Sequence, residues 1–135
     1  MKIEVSSGDM ADKVSILMIK LERIKDDDKL ANIKKELDEI VPTFLPIYDN
    51  NIIDLFDELM AINKDLWDIE NRIRMKEKVQ EFDSEFILLA RSVYKTNDKR
   101  SQIKRAINIE TNSKLREEKS YSDYSISADG KTVSL

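Results

Sequence analysis

One stretch constrains the fold of this chain more than any other: Ser84 to Asn108, SEFILLARSVYKTNDKRSQIKRAIN. It begins and ends as an amphipathic helix, with Phe86, Leu89 and Val93, then Ile103 and Ile107, at helical spacing. The middle of that stripe is polar, at Thr96 and Arg100. A helix with polar groups on its core face must find them partners, because an unpaired buried charge is costly. The fold must therefore bring a second element to Arg100. Turns, bulges and sheets use glycine and proline freely, and this whole chain holds two of each. The expectation is an all-α protein: an antiparallel four-helix bundle with two long C-terminal helices.

The remaining helices follow from their stripes. Met10, Val14, Leu17, Leu21 and Ile24 form a seam behind Ser6, Ser7 and Gly8, with Asp9 expected as the cap. Ile16 and Ile19 point away from that seam. The first helix is thus expected either at the centre of the fold or sharing its second face with another copy, and a homodimer is expected on that ground. Asp26, Asp27 and Asp28 lack the spacing and the glycine of a calcium loop and read as a cap for the second helix. That helix carries Leu30, Ile33, Leu37 and Ile40 and is expected to end at Val41, ahead of Pro42. Asn50 or Asn51 opens a third helix reaching about Gln80, with one continuous stripe from Ile52 through Leu55, Leu59, Ile62, Leu66 and Ile69 to Ile73. Asp83 or Ser84 caps the fourth. Residues 1–121 read as one helical domain, with Lys114 to Lys119 able to add a turn. Residues 122–135 read as a tail or a short β-hairpin turning at Asp129-Gly130, to which Lys2–Val5 would add a third strand.

Chemistry is bounded by what is missing. The chain of 135 residues has no cysteine and no histidine, which removes thiol nucleophiles, disulfides, zinc sites and histidine-based acid–base pairs. Any metal would be held by carboxylates, as magnesium, calcium or manganese are. No signal-like or membrane-spanning apolar run occurs, so the reading is a cytoplasmic protein without a membrane partner. The net charge of −4 gives no general reason to bind nucleic acid. Residues 72–105 are locally basic, with ten Lys/Arg against five Asp/Glu. The row Arg91, Lys95, Lys99, Arg100, Lys104, Arg105 has no aromatic interleaving beyond Tyr94, and a solvated surface explains it better than a nucleic-acid footprint.

Two constellations remain. The third and fourth helices are joined by a short turn and should lie side by side. Asn63, Trp67, Glu70 and Arg74 on one would then approach Tyr94, Asn97, Asp98, Arg100 and Ser101 on the other. Glu70 is the first choice of partner for Arg100 and Asp12 the second. The set reads as a buried ion pair fixing helix register, or as a pocket for an anionic small molecule with Arg100 as its fork. The other constellation is Glu36-x-x-Glu39 with Asp54-x-x-Asp57, two carboxylate pairs that could hold magnesium between helices. These four positions resemble the paired acidic motifs of all-helical nucleotide pyrophosphatases of the MazG type, although the second pair here begins with aspartate. Solvated charge is the competing explanation.

Three stretches are similar to a family of small bacterial proteins known as a domain of unknown function. They are Ala11-Asp12-Lys13-Val14-Ser15-Ile16-Leu17 with Ile19-Lys20 and Glu22-Arg23-Ile24; Leu66-Trp67-Asp68-Ile69-Glu70-Asn71-Arg72-Ile73-Arg74; and Leu89 to Arg100 with Glu117-Glu118-Lys119-Ser120-Tyr121 after it. The resemblance covers about residues 3 to 121 and leaves the tail as peculiar to this chain. It implies a companion of glycosyltransferase and surface-polysaccharide genes and carries no catalytic residues. The resulting expectation is a cytoplasmic accessory or interaction protein that needs no cofactor. The alternatives are a magnesium-dependent pyrophosphatase-like enzyme and an anion-binding bundle centred on Glu70 and Arg100.

Overall fold

Four helices form wherever the stripes require them: α1 (Ser7–Arg23), α2 (Asp27–Phe44), α3 (Ile53–Lys78) and α4 (Ser84–Glu110). The computed structural model describes residues 1–124. All its regular elements are helical, and no strand occurs among the described residues. Lys2–Val5 is irregular backbone, so the expected third strand is not there. Lys114 to Lys119 adds no helical turn either. The hairpin expected at Asp129-Gly130 lies outside the described residues.

Capping chemistry sets the boundaries. Asp26 accepts the Lys29 N–H at 2.9 Å, and Asp83 accepts the Phe86 N–H at 3.0 Å. The cap of α1 is Ser6 rather than Asp9: its hydroxyl accepts the Asp9 N–H at 3.0 Å, leaving Asp9 in the first turn, where its charge favours the helix N-terminus. At its far end α3 stops at Lys78, just short of the expected Gln80, which turns the chain at φ 57°. Asn112, at φ 50°, does the same after α4.

Pro42 does not end α2, contrary to expectation; the helix runs on to Phe44. Proline inside a helix removes one hydrogen bond and crowds the carbonyl four residues back, together about 3 kcal/mol. The last turn compensates by burying Phe44, whose ring packs 5.3 Å from Phe56 and 5.5 Å from Tyr48. Burial of such a side chain contributes about 2–3 kcal/mol. A short 3-10 turn, Leu45–Ile47, then leads towards α3.

The hub of the fold is α1, which packs on each of the other three helices. It runs antiparallel to α2, where Lys13 meets Glu36 at 2.7 Å. It is also antiparallel to α4, with Gly8 beside Asn108 and Asp12 beside Arg100. Along α3 it runs in the same direction, Asp12 facing Asn63 and Arg23 facing Asp68. The core between them contains Ala11, Val14, Phe44, Phe56, Leu59 and Ile107. Position 8 has to be glycine, because a Cβ there would stand 2.5 Å from the Lys104 carbonyl oxygen. The central position expected for α1 is thereby realised within one chain. Ile19 is 1% exposed and Ile16 is partly covered, so its second apolar face is taken up by the chain's own helices. Among the described residues, no helix is long and apolar enough to cross a membrane.

Candidate functional site

The polar interruption of α4 is met from α1. Arg100 reaches across to Asp12, whose side chain is 8% exposed. Its Nε donates to Oδ1 at 2.9 Å and its Nη2 donates to Oδ2, a two-pronged pair. This hydrogen bonding holds the guanidinium pKa above its already high value, so the charge is permanent. Asp12 Oδ1 also accepts from the Asn63 side-chain amide at 2.9 Å. The same amide donates to the Ser15 hydroxyl at 2.7 Å, and that hydroxyl donates to the Asp12 carbonyl at 2.7 Å. Ser15 is completely buried and Asn63 is 5% exposed. Every member of this cluster is thus engaged, as buried polar groups must be.

Glu70 is therefore not the partner of Arg100. It lies 3.6 Å from Arg74, whose side chain is 78% exposed. The reason is geometric: α1 lies against both long helices and presents Asp12 to the core side of α4. Within α4, Arg100 Nη1 reaches Asn97 Oδ1 at 3.4 Å, a long and weak contact.

Beside this pair a cleft of about 400 Å³ opens between α1, α3 and α4. Ile16, Ile19, Leu66 and Trp67 supply its apolar walls; Lys20, Asn63, Glu70, Asn71, Asn97 and Arg100 supply its polar groups. Five of the residues singled out from sequence, Asn63, Trp67, Glu70, Asn97 and Arg100, line this one cavity. Four do not. Arg74 points to solvent, the Tyr94 ring packs 5.1 Å from Tyr124, Asp98 hydrogen-bonds Tyr124, and Asp98 and Ser101 line a second groove under residues 117–123. Arg23 stands 6.0 Å over the Trp67 ring and donates to Asp68 at 2.8 Å.

A second polar contact joins α1 to α4. The Gly8 N–H donates to Asn108 Oδ1 at 2.7 Å, and Lys104 meets Asp9 at 2.9 Å and Glu117 at 3.1 Å. Burial pulls the Lys104 ammonium down, yet its bonds to Asp9 and Glu117 and the nearby charge of Asp12 outweigh this and hold its pKa above the usual lysine value. Sequence reasoning missed Ser15, Asn108 and Lys104 in these roles. The available signal was Gly8, a glycine in a first helical turn, which marks where a second backbone comes close.

The four carboxylates proposed for magnesium are not assembled. Among the described residues no three acidic side chains come close enough to share an ion. Glu36 is paired with Lys13 instead. Glu39, Asp54 and Asp57 are exposed, and α2 packs chiefly along α1 rather than along α3.

No curated protein and no solved structure matches this chain. A family model described as a family of unknown function, DUF6165, matches residues 1–133, so the tail beyond Tyr121 is part of the shared sequence rather than peculiar to this chain. Helices, cleft and tail segment alike fall within that match, and the chain belongs to the family of unknown function DUF6165.

Proposed function

We propose that this chain is a non-enzymatic interaction module of the cytoplasm that pairs with a second copy of itself through the end of its α3–α4 hairpin. The observation that carries this reading is the hairpin's reach. Arg23, the last residue of α1, pairs with Asp68, so among the described residues the hairpin beyond that point has no third helix against it. Its own seam is Ile69, Ile73, Phe86, Leu89 and Val93, all at least partly covered. Around that seam Met75, Val79, Phe82, Ile87 and Leu88 remain 53–68% exposed. Side chains of this size at these exposures offer roughly 500 Å² of apolar surface, comparable with what one partner brings to a standard interface of roughly 800 Å² per side, a little over half of it apolar. The nearby charges are satisfied internally, since Lys76 meets Asp83, Glu81 and Glu85 at 2.9, 3.1 and 3.2 Å. Two such hairpins packed about a two-fold axis would make a four-helix contact from identical surfaces, the commonest closed assembly. The homodimer expected from sequence is thus retained, but moved from α1 to the hairpin end.

The resemblance to companions of surface-polysaccharide genes makes an enzyme of that synthesis the further partner to be sought. The pyrophosphatase alternative loses support because its carboxylates are dispersed.

Sedimentation equilibrium tests the reading. The protein is expected to dimerise at tens of micromolar, and an Ile87→Glu, Leu88→Lys variant is expected to be monomeric with an unchanged melting temperature. A monomeric parent at high micromolar concentration refutes self-association. A double variant that still dimerises refutes the assigned face.

A further inference from the structure

We propose that the cleft between α1, α3 and α4 is a binding site for a small amphipathic monocarboxylate. The inference is independent of self-association, which uses the other end of the hairpin. Its volume of about 400 Å³ is that of a small-molecule site. The walls combine an apolar part (Ile16, Ile19, Leu66, Trp67) with a few convergent polar groups.

Two cations line it, and each has capacity to spare. Arg100 spends Nε and Nη2 on Asp12, which locks the plane of the guanidinium. Its Nη1 edge has, among the described residues, only the 3.4 Å contact with Asn97 Oδ1. Lys20 is partly buried on the same cleft, and no carboxylate within ion-pair distance is found for it among the described residues. A lysine on a cleft wall without a counter-charge is free to take an anion beside it. The side-chain amides of Asn71 and Asn97 add neutral hydrogen-bonding groups on the same walls.

The head group has to be singly charged. Asp12 already neutralises Arg100, and Glu70 stands on the rim, 3.6 Å from Arg74. A phosphate dianion would bring two charges against one unmatched cation and a nearby carboxylate. A carboxylate placed between Lys20 and the Nη1 edge of Arg100 meets one free charge and one preoriented donor. The body of the ligand is then directed onto Leu66, Ile16 and the Trp67 ring, where burial of a six-carbon fragment accounts for most of the affinity.

Trp67 is the chain's single tryptophan, so its fluorescence reports on this cleft without interference. The experiment titrates the full-length protein with benzoate, and in parallel with benzyl alcohol and phenyl phosphate. Benzoate is expected to change Trp67 emission saturably in the millimolar range, with benzyl alcohol at least about tenfold weaker, the loss of one charge-assisted contact. Lys20→Met is expected to weaken benzoate about tenfold while leaving benzyl alcohol and the melting temperature unchanged, because Lys20 has no structural ion pair to lose. Absence of any saturable response to benzoate overturns the site. An equal response to benzyl alcohol overturns the anionic head, tighter binding of phenyl phosphate overturns the single charge, and a Lys20→Met variant with unaltered affinity overturns the placement.

Discussion

Replacing Arg100 by methionine tests the contact on which this fold turns. Methionine keeps the bulk of the stem and removes the guanidinium, so the change isolates the pair. Asp12 would then be a carboxylate with an 8% exposed side chain, and its remaining side-chain donor would be the Asn63 amide at 2.9 Å. Breaking one side of a fully buried ion pair costs about 3–5 kcal/mol. The Arg100 side chain is 28% exposed, so some water reaches the site and the lower end applies, about 3 kcal/mol. For a chain of this length about 4 °C of melting temperature corresponds to each kcal/mol, giving a fall of roughly 12 °C. Asp12→Asn alone should cost about 1–2 kcal/mol, because the arginine left behind can partly hydrate. Combined with Arg100→Met it removes both charges, and the double variant should be at least ~2 kcal/mol more stable than additivity predicts. Glu70→Gln should be nearly neutral and strictly additive with Arg100→Met, since the Glu70 side chain is 46% exposed and pairs with Arg74. Urea denaturation of the parent and the five variants, followed by far-ultraviolet circular dichroism, reads every term. Additive losses for Asp12 and Arg100, or coupling between Glu70 and Arg100, would refute the assignment.

Two other perturbations probe how the hub and the hairpin are held. Gly8→Ala places a Cβ 2.5 Å from the Lys104 carbonyl, so α1 and α4 must separate and the Gly8 to Asn108 hydrogen bond lengthens; thermal melts should show a loss of about 1–3 kcal/mol. At the hairpin end, a hydrogen bond from Lys76 lowers the Asp83 carboxyl, and hydrogen bonds from Arg72 and then Lys76 lower that of Glu85. A carboxylate whose folded pKa is depressed stabilises fully above its unfolded value, about 4, and that stabilisation disappears as pH falls through the folded value. Lys76, raised chiefly by its hydrogen bond with Asp83, acts in the opposite sense, stabilising below its ordinary value of 10.5 and failing only as pH rises beyond it. Amide exchange should therefore show the Phe86 and Ile87 N–H groups losing protection below about pH 4, while the α1–α4 contact is still closed. Unchanged protection there would show that these ion pairs do not hold the cap.

The parts of this fold legible in sequence are those governed by local periodicity. The stripes from Ile52 to Ile73 and from Phe86 to Ile107 could be read directly, because a helix repeats every 3.6 residues whatever packs against it. Caps were legible to within a turn, since Ser6, Asp26 and Asp83 are all short acceptors just ahead of a stripe. Pro42 misled because a local rule met a tertiary term. The cost of helix around Pro42 is offset by the burial of Phe44, and nothing within α2 announces that Phe56 will be waiting for that ring.

The polar site was half legible for a similar reason. That Arg100 faces the core follows from its place between Val93 and Ile103; which carboxylate meets it depends on how α1 is set against α4. Glu70 seemed nearer because α3 and α4 are consecutive and their register is fixed by a short turn. The register of α1 on α4 is instead set by contacts about a hundred residues apart in sequence: Gly8 against the Lys104 carbonyl and Asn108, then Asp12 against Arg100, one turn on from Gly8 in α1 and one turn back from Lys104 in α4. Closest approach at Gly8 therefore selects Asp12. A larger residue at position 8 would not simply weaken a contact, because it would move the carboxylate along α4 and unseat the guanidinium that borders the cleft. Glycine, ion pair and cavity are in this sense one device, with the backbone contact at Gly8 determining how the donor edge of Arg100 is presented one turn further along α1.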